Sequence, residues 1–186
     1  MSLALAVGRS TMDLNADHFA LFGLPRAFRL AAPTLESRYR ELQSMIHPDR
    51  FAHAPARDRR LSLQWATRVN EAYQTLKRPL ARARYLLQLA GHDFESENNT
   101  LMESDFLVEQ MEWREGVAEA QLAGDHHELE RLLRRLKHDL DHGYGQLAIL
   151  LDDRHDLTAA AGDVRRLMFL EKLLDQIEEA VAACEP

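Results

Sequence analysis

One cysteine, Cys184, stands among 186 residues. A single thiol makes no intrachain disulfide, no CxxC redox pair and no four-thiolate zinc or iron–sulfur site. Whole classes of function fall away, and a lone thiol fits the reducing cytoplasm. Glycine and proline are scarce, at eight and six, too few for a collagen-like or disordered chain. No apolar run approaches the ~20 residues that span a membrane, so no membrane partner is expected. The apolar stretch at 3–7 has no basic segment before it, and Arg9 and Ser10 follow at once. Residues 1–16 therefore read as an amino-terminal tail. Neither a GxxxxGKS/T nor a GxGxxG loop is present, so no nucleotide cofactor is expected through those loops.

What the chain has is 46% hydrophobic residues, 28% charged residues and a net charge of −7. Residues 1–95 carry 14 Lys and Arg against 9 Asp and Glu, whereas residues 96–186 carry 9 against 21. A half at +5 followed by a half at −12 suggests two units that meet different partners, with chance partition of solvated charge as the plain alternative. The acidic half argues against wrapping nucleic acid.

The apolar pattern is helical throughout. Residues 17–25 form a short turn of helix stopped by Gly23 and Pro25. After Pro33, Thr34 is placed to cap a helix with Leu35, Tyr39, Leu42 and Ile46 on one face. Pro48 disfavours helical geometry in the residue before it, so that helix ends near His47. Residues 49–57 read as a loop. A second long helix carries Leu61, Trp65, Val69, Ala72, Tyr73 and Leu76, and another begins at Pro79 and runs to Gly91. The two long helices should pack antiparallel as a hairpin.

The polar stretch 92–100 coincides with the charge switch and marks a linker at 92–102. Beyond it a helix is expected over 103–122. A second carries Leu129, Leu133, Leu136, Leu140, Tyr144, Leu147 and Leu151. A third carries Leu157, Ala160, Val164, Leu167, Leu170, Leu174, Ile177 and Val181. No sustained period-two run of β-branched residues appears. The fold class is all-α, with a helical hairpin and flanking short helices (17–91) followed by a three-helix bundle (103–186).

His47-Pro48-Asp49 sits between the two long helices. Pro48 stiffens the turn, so His47 and Asp49 are displayed with little freedom left to lose on docking. The Asp49 carboxylate suits bidentate pairing with an arginine of a partner. A plain interhelical turn, with Asp49 capping the next segment, is the alternative. With Tyr39-Arg40-Glu41-Leu42 before it and Asn70-Glu71-Ala72-Tyr73-Gln74-Thr75-Leu76 after it, the turn resembles that of a J-domain. Phe19-x-Leu21-Phe22-Gly23-Leu24-Pro25, Asp49-Arg50-Phe51 and Pro79-Leu80-x-Arg82-Ala83-x-Tyr85-Leu86-Leu87 resemble the HscB branch of that family. So do Phe106-Leu107-x-Glu109-Gln110-Met111-Glu112-x-Arg114-Glu115 and Val164-Arg165-Arg166-Leu167-x-Phe169-Leu170. The resemblance runs over about residues 17–183.

The resemblance implies a non-enzymatic co-chaperone of iron–sulfur cluster assembly, made of a J-domain and a client-binding bundle. Its partners would be an HscA-like chaperone of the DnaK type and the cluster scaffold protein IscU. His47, Pro48 and Asp49, with basic Arg38, Arg40 and Arg50, would meet the chaperone. Ser44 and Met45 depart from the family habit of Lys or Arg just before the turn. Leu107, Val108, Met111 and Phe169 would meet the scaffold, bordered by Glu112 and Glu115. Residues of this set packing inside the bundle is the competing explanation, and Phe106 is assigned to the core.

Other features carry less. His138 and His142 have the i, i+4 spacing that clamps a metal from one helix, but no cysteine or clear third ligand accompanies them. His126-His127-Glu128 is not HExxH, since Arg131 takes the last position. Trp65 and Trp113 read as packing residues. Two alternatives to the co-chaperone stay open: a non-catalytic helical adaptor whose turn is incidental, and a metal-dependent helical enzyme built on His138 and His142.

Overall fold

The computed structural model describes residues 6–7, 10–11, 13, 15–92 and 104–183. Its contacts divide the chain into two compact units, Met1–Leu86 and Leu87–Pro186. The division falls inside a helix rather than in the polar stretch read as a linker. Residues 93–103 of that linker, and Cys184, lie outside the described residues.

In the tail, β1 (Ala6–Val7) pairs antiparallel with β2 (Ser10–Thr11). α1 (His18–Phe22) follows. The Asp17 carboxylate accepts from the Ala20 amide at 2.9 Å, and Gly23 ends the helix in the left-handed region at φ 62°. Phe19 and Phe22 are thereby turned into the core with Phe28.

α2 (Ala32–Ile46) starts earlier than its sequence suggests. Ala31, not Thr34, occupies the cap position, and no side chain caps it. Pro33 explains the difference: its fixed φ suits the first helical turn, where its missing N–H has no intrahelical acceptor to lose. α3 (Ala56–Lys77) packs back along α2, burying Trp65, Val69, Ala72 and Leu76 against Leu35 and Ile46 of the same core. The Tyr39 and Tyr73 rings stack at 4.0 Å, and the Tyr39 hydroxyl donates to Asn70 Oδ1 at 2.9 Å. In α4 (Pro79–Leu89), Tyr85 stacks on His18 at 4.2 Å and accepts from the His18 amide at 3.0 Å. The segment expected as a loop at 49–57 begins as a 3-10 turn, Pro48–Phe51.

The second unit contains α5 (Ser104–Ala123), α6 (His126–Ala148) and α7 (Leu157–Ala183). Asp125 caps α6 by accepting from the Glu128 amide at 3.0 Å. A π-helical segment, Ile149–Arg154, carries the chain from α6 toward α7 and ends at His155, φ 53°. α6 buries Leu129, Leu132, Leu136, Leu140 and Leu147 along one seam, leaving the expected Leu133 and Tyr144 half-buried. α7 buries Leu173 and Ala180 rather than Leu174 and Val181. Leucine at both 173 and 174 left apolarity unable to choose between them. Trp65 and Trp113 are both buried. No described helix is long and apolar enough to cross a membrane.

Candidate functional sites

The α2–α3 turn is built by two hydrogen-bonding devices. His47 leaves the helical region at ψ 130°, and its Nδ1 accepts from the Asp49 amide at 3.3 Å. Arg50 reaches back so that its Nη1 donates to the Ser44 carbonyl at 3.0 Å, satisfying an acceptor that the end of α2 leaves open. Asp49 Oδ2 lies 3.5 Å from His47 Nδ1. The same nitrogen is the acceptor for the Asp49 amide, so the carboxylate and the amide of Asp49 both face the His47 ring. The Asp49 carboxylate is left 89% exposed, an acceptor with free lone pairs on a restrained backbone.

The basic residues named from sequence are more committed than their charge suggests. Arg38 pairs with Glu41 at 3.2 Å and Arg40 with Glu36 at 3.0 Å, both within α2. Arg50 is partly engaged with the end of α2. His47, Asp49 and Arg50 are brought together at the turn; Arg38 and Arg40 stand farther back along the helix.

A second feature lies on α5 of the other unit. Its inward face carries Trp113, Val117 and Ala120. Its first turns nevertheless expose Leu107, Val108 and Met111, the last to 69%, with Glu112 and Glu115 also exposed beside them. Phe169 on α7 is half-buried, and its ring meets the Phe106 ring edge-on at 5.9 Å. Phe106, assigned to the core from sequence, is likewise only half-buried, because its ring is spent on Phe169. The Arg114 guanidinium lies 5.7 Å over the Phe169 ring.

One turn along, Arg166 donates twice to Glu109, at 2.6 and 3.0 Å. Residues 106 and 109 are three apart on α5, as are 166 and 169 on α7. The ring contact and the ion pair are therefore successive rungs that hold the two helices in register. The Glu109 hydrogen bonds hold the Arg166 guanidinium pKa above its usual value despite partial burial. From sequence Glu109 and Arg166 stand in the family motifs without a role of their own, although their three-residue spacing to Phe106 and Phe169 places each pair on one helix face.

His138 is largely exposed and lies beside Asp139 at 3.6 Å, and His142 is exposed. Among the described residues no group of three or more His, Cys, Asp or Glu side chains is placed to hold a metal ion.

A relative from Aromatoleum aromaticum, described as a co-chaperone protein HscB homolog, is 54% identical over 175 residues. The match covers 94% of this chain and 99% of the relative. The chain belongs to the HscB co-chaperone family. An HscB homolog of Ralstonia nicotianae is 50% identical over 164 residues, covering 88% of this chain and 93% of that one. The family description "HSCB C-terminal oligomerisation domain" matches residues 102–178. Among solved structures, chaperone HscB from Vibrio cholerae aligns with a TM-score of 0.81 at 38% identity. That alignment covers 91% of this chain and all of the other. Human co-chaperone HscB aligns at 0.84 and 28% identity, covering 90% of this chain and 83% of the other. The HscB fold, a J-domain followed by a helical bundle, is the fold of this chain.

Proposed function

We propose that this chain stimulates ATP hydrolysis by an HscA-like chaperone of the DnaK type in the cytoplasm and delivers the iron–sulfur scaffold protein IscU to it. The carrying observation is the Asp49 carboxylate, exposed on a turn whose backbone is held by His47 and Arg50. Residues 17–91 dock the chaperone through His47, Pro48, Asp49 and Arg50, with Arg38 and Arg40 at the border. Residues 103–186 hold the scaffold through Leu107, Val108, Met111 and Phe169, rimmed by Glu112 and Glu115. A few apolar anchors with a charged border suit a small, transient interface.

The chain performs no covalent chemistry in this reading. Its effect is a coupling free energy: it binds the hydrolysis-competent state of the chaperone better than the others and so raises that state's population. A restrained turn makes this efficient, because little conformational entropy is lost on docking.

The test is steady-state ATP hydrolysis by the HscA-like chaperone as this protein is titrated in, with and without IscU. Stimulation that grows with IscU and vanishes in Asp49→Asn and in His47→Gln is the expected result. A fully stimulating Asp49→Asn would remove the role of the turn, and an inert wild type with an active chaperone would remove the co-chaperone reading.

A further inference from the structure

Positive charge is not distributed evenly around the His47–Asp49 turn. α2 contains Glu36, Arg38, Arg40 and Glu41 and carries no net charge, and both arginines are paired within the helix. The start of α3 differs. Arg57, Arg59 and Arg60 are exposed, and among the described residues none of their guanidinium groups makes a hydrogen bond or an ion pair. Asp58 is the only acid between them. No side chain caps α3, and cations in a first turn face the positive end of the helix dipole. Arg57 and Arg59 therefore work against the start of the helix that carries them, Arg60 adds a third exposed cation just beyond it, and their placement calls for a reason outside the helix.

Leu63 is a second, independent observation. It lies one turn on from Arg59 and Arg60 and is 56% exposed, while Ser62, Trp65 and Val69 fill the core side of α3. An exposed leucine bordered by unpaired guanidinium groups has the composition of a protein interface, an apolar anchor with a charged border. A nucleic-acid backbone would use the cations and leave the leucine without a role.

We propose that Arg57, Arg59, Arg60 and Leu63 form a docking face for an acidic protein surface with a shallow apolar recess. That surface belongs to the same chaperone that engages the His47–Asp49 turn, so the proposal rests on that reading. Continuity supports the assignment: one 3-10 turn and the Pro55 cap connect Asp49 to Arg57. A partner seated on the turn is thus within reach of the start of α3. With α2 internally neutralised, the long-range attraction comes from α3, and α2 contributes contact without steering.

The experiment compares wild type, the Arg57→Glu, Arg59→Glu, Arg60→Glu triple variant, Leu63→Ser, and an α2 variant that stays uncharged (Glu36→Gln, Arg38→Gln, Arg40→Gln, Glu41→Gln) as activators of chaperone ATPase at low and high salt. Carboxylates in a first turn favour the helix, so the triple variant keeps its fold, which circular dichroism checks. The triple variant should raise the half-maximal activating concentration by about tenfold at low salt and reverse the salt dependence, added salt now relieving repulsion, with maximal stimulation retained. Leu63→Ser should weaken activation with the salt dependence intact, and the α2 variant should leave the salt dependence unchanged. If the triple variant activates like wild type while Asp49→Asn does not activate, this face is overturned and the turn stands. The same holds if the triple variant changes only self-association or polynucleotide retention. An inert wild type overturns both.

Discussion

Arg166 and Glu109 are joined by two hydrogen bonds across the α5–α7 seam, one turn from the edge-on pair of Phe106 and Phe169. Glu109 shares its face of α5 with the buried Trp113, Val117 and Ala120, which turns the adjoining apolar residues outward. The exposed trio of Leu107, Val108 and Met111 is the consequence.

Arg166→Met should therefore disturb more than stability. Because the guanidinium is 40% exposed, solvent screening limits the cost of losing the pair to about 1 kcal/mol, measurable by urea denaturation. Scaffold affinity by calorimetry should fall as well. Pairing Arg166→Met with Glu109→Gln should recover part of the stability, since no unpaired carboxylate remains. Full additivity of the two changes would show that the clamp is not a coupled unit.

Alanine at Leu107 and Met111 together should leave the helical signal intact, because both side chains are exposed and neither belongs to the Phe106–Phe169 rung. Affinity for the scaffold should drop by about 3 kcal/mol, roughly a hundredfold. Unchanged affinity by calorimetry would move the client surface elsewhere on the bundle.

Gly143 is buried on α6, and a Cβ added there would lie 2.7 Å from Leu167 Cδ2 and 3.4 Å from its Cγ. Alanine favours helix over glycine by about 1 kcal/mol, yet Leu167 is itself buried and has little room to repack. Gly143→Ala should be destabilising by about 1 kcal/mol net, the overpacking cost exceeding the propensity gain. A raised midpoint in thermal denaturation would contradict the close approach of α6 and α7.

His18 gives the first unit a pH dependence. Burial, with the Arg68 charge nearby, pushes its pKa below the usual 6.5, and its Nδ1 has no hydrogen-bond partner. The unfolded chain thus takes up a proton at higher pH than the folded one. The associated stability is present above about pH 6.5 and is lost as pH falls through the folded value. His18→Phe keeps an aromatic ring against Tyr85 and removes the titration. Its stability should be flatter than wild type just below neutrality, as measured by urea midpoints across pH. At lower pH Asp17 adds a further loss in both proteins: hydrogen bonds from Ala20 and Arg26 outweigh its partial burial and depress its pKa.

The family pattern, the all-α class and the His47-Pro48-Asp49 turn are legible in the sequence because each rests on local rules. Apolar residues recur at helical spacing, Pro48 stops a helix wherever it falls, and Gly23 supplies a left-handed end. Even the misplacement of the α2 start was local, a matter of Pro33 serving the first turn better than Thr34 serves as a cap.

Other features depend on what a neighbouring helix offers. Leu173 and Leu174 are equally apolar, so only the packing of α7 chose which one to bury. Phe106 is as apolar as a core residue, yet its ring meets Phe169 edge-on and both stay half-buried. Arg38, Arg40 and Arg57 have the same side chain, and pairing within α2 neutralises two of them while the third stays free. Composition and periodicity set which segments become helices and roughly which stripe is buried. The rotation of each helix, the partner of each charge and the exposure of each apolar residue came from tertiary contacts, because burial and ion pairing are properties of pairs of residues distant in the chain.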